Sequence, residues 1–400
     1  MKITGVEQIK VAVPWKYRVI FSGDEAPWTH QYTTIVKMHT DEGITGISEG
    51  RLRGEISQSF IKSQVIGTDP FEIEKLIGGS ILEGPTPTAT QMIECGCWDI
   101  IGKALNVPVY KLLGGRFWDR VPITMYSSDE PEIEPVIKTA VNAVKIGIGT
   151  IKIKVGKDLK TDLVLVKGVR EAVGDDVTIR VDSNSAWSVP TAINMINKMA
   201  KYYPQYIEQP IATWDLDGFK RVRDRVSVPL AICGSAPKIP GVMSLIKRDA
   251  IDVLSSDPSR TGGLWGWKKM DAICTAAGIP LVEHANGLGV STAIWLAAAV
   301  TSPSCKYAHD INSLNNSTIE QPTCKVLSDD VITKPFRHEN GFLQVPEGPG
   351  LGVELDEAKM EKYSELYQDL RREGDKGGHE GLAPRIVPNL TLPYRFQPTF

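Results

Sequence analysis

TIKIKVG (150–156) and TIRVDSN (178–184) decide the fold. Each is a short apolar run that ends in polar side chains: Lys152 and Lys154 in the first, Asp182 and Asn184 in the second. The design returns in QYIEQP (205–210) with Glu208, in DVLSSDPSR (252–260) with Asp257, and in IPLVEHANG (279–287) with His284. Working outward, candidate strands begin near Pro122, Thr150, Thr178, Tyr206, Leu230, Asp252, Pro280 and Tyr307, at intervals of roughly 22 to 28 residues. Amphipathic helical stretches lie between them, among them 131–146, 159–173, 190–202 and 263–277. Eight strands with seven intervening helices is the rhythm of a (β/α) barrel, whose charged strand ends gather in one mouth.

The barrel rhythm occupies residues 121–325. Before it, residues 1–120 form a separate α+β region: MKITGVEQIKVAVP and TTIVKMHTDEGITGISEG alternate apolar and polar residues as half-buried antiparallel strands do, with a turn at Asp41-Glu42-Gly43. The aromatic and basic segment between them, Trp15 to His30, has no periodicity and reads as a functional loop. Helical patterns follow from about Ile56 to Leu113 and close at Gly114-Gly115. After Asp310, the hairpin-like FRHENGFLQVPEGPGLGVEL in the 326–373 tract is expected to return to the first domain and complete it. The tail, 374–400, is rich in Gly, Pro and apolar residues and is expected to dock on its own or a neighbouring subunit.

Net charge is −3, which offers no basic field for nucleic acid. The longest uninterrupted apolar run, Ala293 to Val300, is too short to cross a bilayer, and the N-terminus MKITGVEQIK lacks the apolar core of a secretory signal. The six cysteines have no metal-finger spacing, so they read as reduced thiols of a cytoplasmic protein, with Cys95 and Cys97 packed in a buried helix.

Lys152 and Lys154, two apart in a strand, share one face. If it points into the barrel, each ammonium disfavours the other's charge and a neutral lysine base becomes available near neutral pH. Asp182 and Glu208 end successive strands and supply the hard oxygens that Mg²⁺ favours. Asp257 and His284 likewise end successive strands, so the carboxylate can fix the imidazole's tautomer and raise its basicity. Taken singly, each has an ordinary structural explanation: a solvated lysine pair, capping carboxylates, a core histidine. Together they place an amine and an imidazole across an acidic floor. That arrangement suits proton abstraction next to a carboxylate, with a metal ion holding the enediolate.

At this point the chain resembles the enolase superfamily, specifically its mandelate racemase-like group. The resemblance rests on the helix CWDIIGKALNVPVYKLLGG, the Lys-x-Lys strand, VDSN, IEQP, DPSRTGG, the strand-end His284 and the closing VPEGPGLGVEL. It implies a modified (β/α)₇β TIM-type barrel under an α+β capping domain built from both chain ends, and a homo-oligomer. It implies Lys154 as the base on one face and His284 with Asp257 as the acid/base pair on the other. Lys152 would hold the substrate carboxylate and tune Lys154, Asp182 and Glu208 would bind Mg²⁺, and Asp310 would contact the substrate. Sites of this superfamily use a Lys or His base with Mg²⁺ on the enediolate.

One position departs from the pattern. Gly234, in PLAICGS, stands where the family has a third metal-binding carboxylate. Its loss removes an attraction on the order of 4 kcal/mol at about 4 Å and an effective dielectric near 20, which Asn184, Ser235 or water could restore in part. Trp15, Lys16, Tyr17, Arg18, Trp28 and His30, followed by Arg51 and Arg53, read as a donor-rich lid, with Trp15, Arg18 and His30, together with Asn184, as substrate contacts. The leading expectation is an Mg²⁺-dependent dehydratase of a sugar acid, in which Lys154 or His284 removes the α-proton and His284 protonates the leaving β-hydroxyl. A racemase, epimerase or cycloisomerase uses the same residues. A binding protein that lost the metal is the rival that Gly234 supports.

Overall fold

Alternation along each apolar run sends its branched residues to one side and its polar residues to the other. Ile151, Ile153, Ile179 and Val181 lie in the main hydrophobic core. Their neighbours Lys152, Lys154, Arg180 and Asp182 are also buried, on the opposite face. Such strands must be covered on both sides, and the chain meets that need by closing them into a ring.

The computed structural model describes residues 1–19, 28–52, 54–77, 87–126, 132–233, 239–285, 287–311 and 326–373. Eight parallel strands run in sequence order: β1 (Met125–Tyr126), β2 (Thr150–Lys154), β3 (Thr178–Asp182), β4 (Ile207–Glu208), β5 (Leu230–Ile232), β6 (Val253–Ser256), β7 (Leu281–Ala285) and β8 (Asp310–Ile311). A parallel bridge between Ile123 and His309 closes the ring. It is held by Thr124 N–H to His309 O and His309 N–H to Pro122 O, each 2.8 Å. Helices 133–145, 159–173, 189–199, 216–223, 239–247, 264–277 and 289–300 fill the seven crossovers. The fold is a (β/α)₇β barrel, as the strand rhythm predicts.

The cap begins with a three-stranded antiparallel sheet, Ile3–Val19, Trp28–Thr40 and Thr45–Gly50. Its second turn is the expected Asp41-Glu42-Gly43, with Gly43 at φ 77°. The helix Pro87–Ala104 packs on this sheet. Beyond the barrel, Asn340 (φ 49°) and Gly341 (φ 78°) make a two-residue turn, and Phe342–Leu343 pairs with Val121–Pro122. The helix Glu357–Arg372 then lies against the first cap strand, burying Tyr363 and Tyr367.

Buried carboxylates join cap to barrel. Glu94 accepts from the N–H groups of Leu264 (2.9 Å) and Trp265 (2.7 Å), capping the barrel helix Leu264–Ala277. Glu49 does the same for the helix Gly289–Val300, accepting from Leu288 (2.6 Å) and Ser291 (2.8 Å). Each satisfies helix donors that would otherwise be buried without partners.

The reading of 15–30 as an aperiodic loop is corrected. The first cap strand continues to Val19 and the second begins at Trp28. Trp15 is 6% exposed and packs in the main core, because its strand turns that ring inward. Composition alone could not show this direction. Residues 20–27, Arg53, Gly234 and the tail 374–400 lie outside the described residues, as do the side chains of Tyr17, Arg18 and Trp28. Among the described residues no helix is long and apolar enough to cross a membrane. Cys95, Cys97, Cys233, Cys274 and Cys305 are free and buried.

Candidate active site

The C-terminal ends of the strands bring the polar residues together. Lys154 pairs with Asp182 in the β2–β3 register, and Asp182 with Glu208 in the β3–β4 register. Lys152 Nζ lies 2.5 Å from Asp310 Oδ2, 2.7 Å from Glu208 Oε2 and 3.5 Å from Asp182 Oδ2. Burial opposes its charge, but Asp310, Glu208 and Asp182 overcome that and push its pKa well above the ordinary lysine value. Lys152 is therefore not the lysine that its neighbour's charge makes a neutral base. Three carboxylates outweigh one neighbouring ammonium.

Lys154 Nζ donates to Asp182 Oδ2 (2.5 Å) and Asn184 Oδ1 (2.7 Å). Asn184 adopts φ 47°, and its backbone N–H donates to Asp182 Oδ1. Burial would raise Asp182, yet Lys154 and Lys152 hold it below the usual carboxylate range. Glu208 moves the other way: burial raises it, and Lys152 offsets this only in part. Asp310 is fully buried beneath, between Lys152 and the Arg180 guanidinium at 3.6 Å.

Neither oxygen of Glu208 accepts an aligned hydrogen bond, although the group is fully buried and forms the close ion pair with Lys152. A buried carboxylate short of donors, beside a second carboxylate, fits a hard divalent cation with water or substrate completing its shell. Among the described residues no third His, Cys, Asp or Glu completes such a group. Mg²⁺ commonly takes one or two protein carboxylates, and Asp182 and Glu208 are the residues that could hold it.

At the other side of the mouth, Asp257 and His284 are brought together, but Arg260 stands between them. Asp257 caps the short helix Pro258–Thr261, its Oδ1 accepting from Ser259 N–H at 2.8 Å. Its Oδ2 lies 3.0 Å from Arg260 Nε, and Arg260 Nη2 lies 3.4 Å from His284 Nδ1. The Arg260 guanidinium thus contacts both side chains. Sequence reasoning passed over Arg260, although its position three residues beyond Asp257, within one helical turn, was a usable signal.

A cavity of about 240 Å³ opens beside these residues, bounded by Asp257, Arg260 and His284 and by the cap's Glu49 and Gln91. Burial raises Glu49 to about 7 despite the two helix N–H groups it accepts. Arg51 also lines the cavity; Trp15 and His30 do not. His30, half-buried, has Nδ1 2.8 Å from Thr29 Oγ1.

A capped (β/α)₇β barrel with these strand-end residues defines an enolase-type enzyme. Residues 136–359 match the family model described as Enolase C-terminal domain-like, and residues 8–114 match the Mandelate racemase / muconate lactonizing enzyme, N-terminal domain. The chain belongs to the mandelate racemase/muconate lactonizing enzyme family of the enolase superfamily. A hydrophobic dipeptide epimerase of Enterococcus faecalis is 33% identical over 284 residues, 67% of this chain and 79% of that one. An arabinonate dehydratase of Saccharolobus solfataricus is 30% identical over 276 residues, 68% and 70% of the two chains. The crystal structure of N-succinyl Arg/Lys racemase from Bacillus cereus matches with a TM-score of 0.80 at 27% identity, covering 91% of this chain and 98% of that one.

Proposed function

We propose that this enzyme dehydrates a sugar acid, with Mg²⁺ as its cofactor. The observation that carries the reading is the cavity beside His284, where, among the described residues, Arg51, Thr88, Gln91, Ser259 and Ser291 line it together with Trp295. Such a lining offers hydrogen-bond partners to a row of hydroxyls. The arabinonate dehydratase relative supports the same substrate class.

In this reading Lys154, once neutral, takes the proton α to the substrate carboxylate. Its electron pair becomes the enediolate, the β-hydroxyl takes a proton from the His284 imidazolium and leaves as water, and the enol tautomerises to a 2-keto-3-deoxy acid. Asn184 and Asp182 fix the Lys154 amine, and Lys152 supplies a permanent positive charge beneath it. Mg²⁺ held by Asp182 and Glu208 would supply charge stabilisation for the enediolate. His284 offers a nitrogen to a substrate oxygen in the cavity.

Incubation with a panel of sugar acids in D₂O, followed by a keto-acid assay, tests the reading. Keto acid from at least one member is expected. Deuterium at the α-carbon with no keto acid would replace dehydration by epimerisation, the activity named for the Enterococcus relative.

A further inference from the structure

We propose that a second polar chamber inside the barrel, under Lys152, holds internal water, and that Arg180 within it positions the strand-end ion pairs. Side-chain alternation turns Arg180 and Asp182, Tyr206 and Glu208, and Val253, Ser255 and Asp257 to the inner face of the ring. Arg180 lies one step deeper than Asp182 and is fully buried.

Most of its guanidinium is bonded. Nε donates to Gln205 Oε1 at 2.8 Å, and Nη1 donates to Ala308 O at 2.7 Å and to Thr124 Oγ1 at 3.1 Å. The centre of the Tyr206 ring lies 4.8 Å from Cζ. Nη2, by contrast, meets no acceptor among the described residues. Three buried groups on the same inner face are equally short of partners: Asp310 Oδ1, the Tyr206 hydroxyl and the Ser255 hydroxyl. Asp310 Oδ1 is 3.6 Å from Arg180 Nη1, too far for a direct hydrogen bond. Native interiors meet such groups with protein atoms or with ordered water.

The chemistry of these groups selects the occupant. A guanidinium only donates, a carboxylate only accepts, and a hydroxyl does both. A bound cation would face Arg180 and a bound anion would face Asp310, whereas water can serve both. At the depth of Arg180, Ala231, Val253 and Val282 pack with Tyr206 in an apolar cluster. Those side chains offer water no partner, which confines it to the side of Arg180 and Asp310.

The chamber acts on the site through Asp310. Oδ1 of that carboxylate faces Arg180, while Oδ2 takes Lys152 at 2.5 Å. Lys152 in turn reaches Glu208 at 2.7 Å. By sharing the charge of Asp310, Arg180 leaves Lys152 held between two carboxylates instead of drawn onto one. The same hold keeps Asp310, expected to touch substrate, off the described cavity wall.

A crystal structure of the full-length enzyme, at a resolution that shows ordered water, tests the chamber. Density for water should lie about 2.7–3.2 Å from Arg180 Nη2 and from Asp310 Oδ1 or the Tyr206 hydroxyl. No such density, or a metal or halide ion in its place, would overturn it. In Arg180→Met, Lys152 should move onto Asp310, and its contact with Glu208 should open past about 4 Å, the limit of an ion pair. In Arg180→Lys that contact should hold. On any acid the enzyme turns over, kcat should fall at least about tenfold in Arg180→Met with a smaller change in KM, and Arg180→Lys should recover most of the loss. Lys152 in its wild-type place in Arg180→Met would reduce Arg180 to packing and end its positioning role. Should Arg180→Met not fold, Arg180→Gln, which removes the charge and keeps an amide donor, is read in the same way. If no acid is turned over, the densities and distances still decide, so this inference and the dehydratase reading fail separately.

Discussion

Lys152 has no exposed surface and sits at the focus of Asp182, Glu208 and Asp310. Its removal strands buried negative charge, which costs about 3–5 kcal/mol when a partner of a buried pair is deleted. Lys152→Met should therefore lower the unfolding free energy extracted from urea melts by an amount of that order, with a lower midpoint. A midpoint equal to wild type would mean the carboxylates do not depend on it. Lys152, Lys154, Asp182, Glu208, Asp257 and His284 were legible in the sequence because each ends an apolar run, where chain direction and strand parity fix where the side chain goes. Arg260 was not, since an arginine in the first turn of a helix usually reads as a surface cation. The reading of Trp15 as a lid residue failed for a related reason: its residue type suits a pocket, but its strand turns the ring into the core.

At the level of elements, strand starts and most helix spans could be read from periodicity, because each run repeats one local pattern. The cap–barrel contacts could not, since Glu94 meets Leu264 at a separation of 170 residues. Burial raises Glu94 from its ordinary 4.5 to about 7, outweighing the Trp265 and Leu264 N–H groups that lower it. Below pH 4.5 the carboxyl is protonated in both the folded and unfolded chain. As pH rises from there to about 7, the unfolded chain releases a proton that the folded one keeps. This group's contribution to stability is thus lost across that window, on the order of 3 kcal/mol. Glu94→Gln removes the titration, so its stability should change less between pH 4.5 and 7.5 than that of wild type. Urea melts at those two pH values measure it, and identical pH slopes would refute the assignment.

Across the whole molecule, ligand binding and folding are linked, because Asp182 and Glu208 come together only when β3 pairs with β4. A cation bound only by the folded state should add about 2.7 kcal/mol of stability at a hundred times its Kd. Thermal melts with and without Mg²⁺ should show the rise in wild type and lose it in Glu208→Gln. No rise at any millimolar concentration would remove Mg²⁺ from the proposed function. The cap imposes a different constraint, one of timing. Pro14 O accepts from Ser328 N–H, Lys16 N–H donates to Val326 O, and Lys37 reaches Glu357 across 320 residues. The sheet of residues 3–50 is covered by a helix made more than 300 residues later, with Ala12 and Tyr32 awaiting Tyr367. At about 5–20 residues per second, the nascent chain carries that uncovered face out of the ribosome for on the order of tens of seconds before its partner is translated.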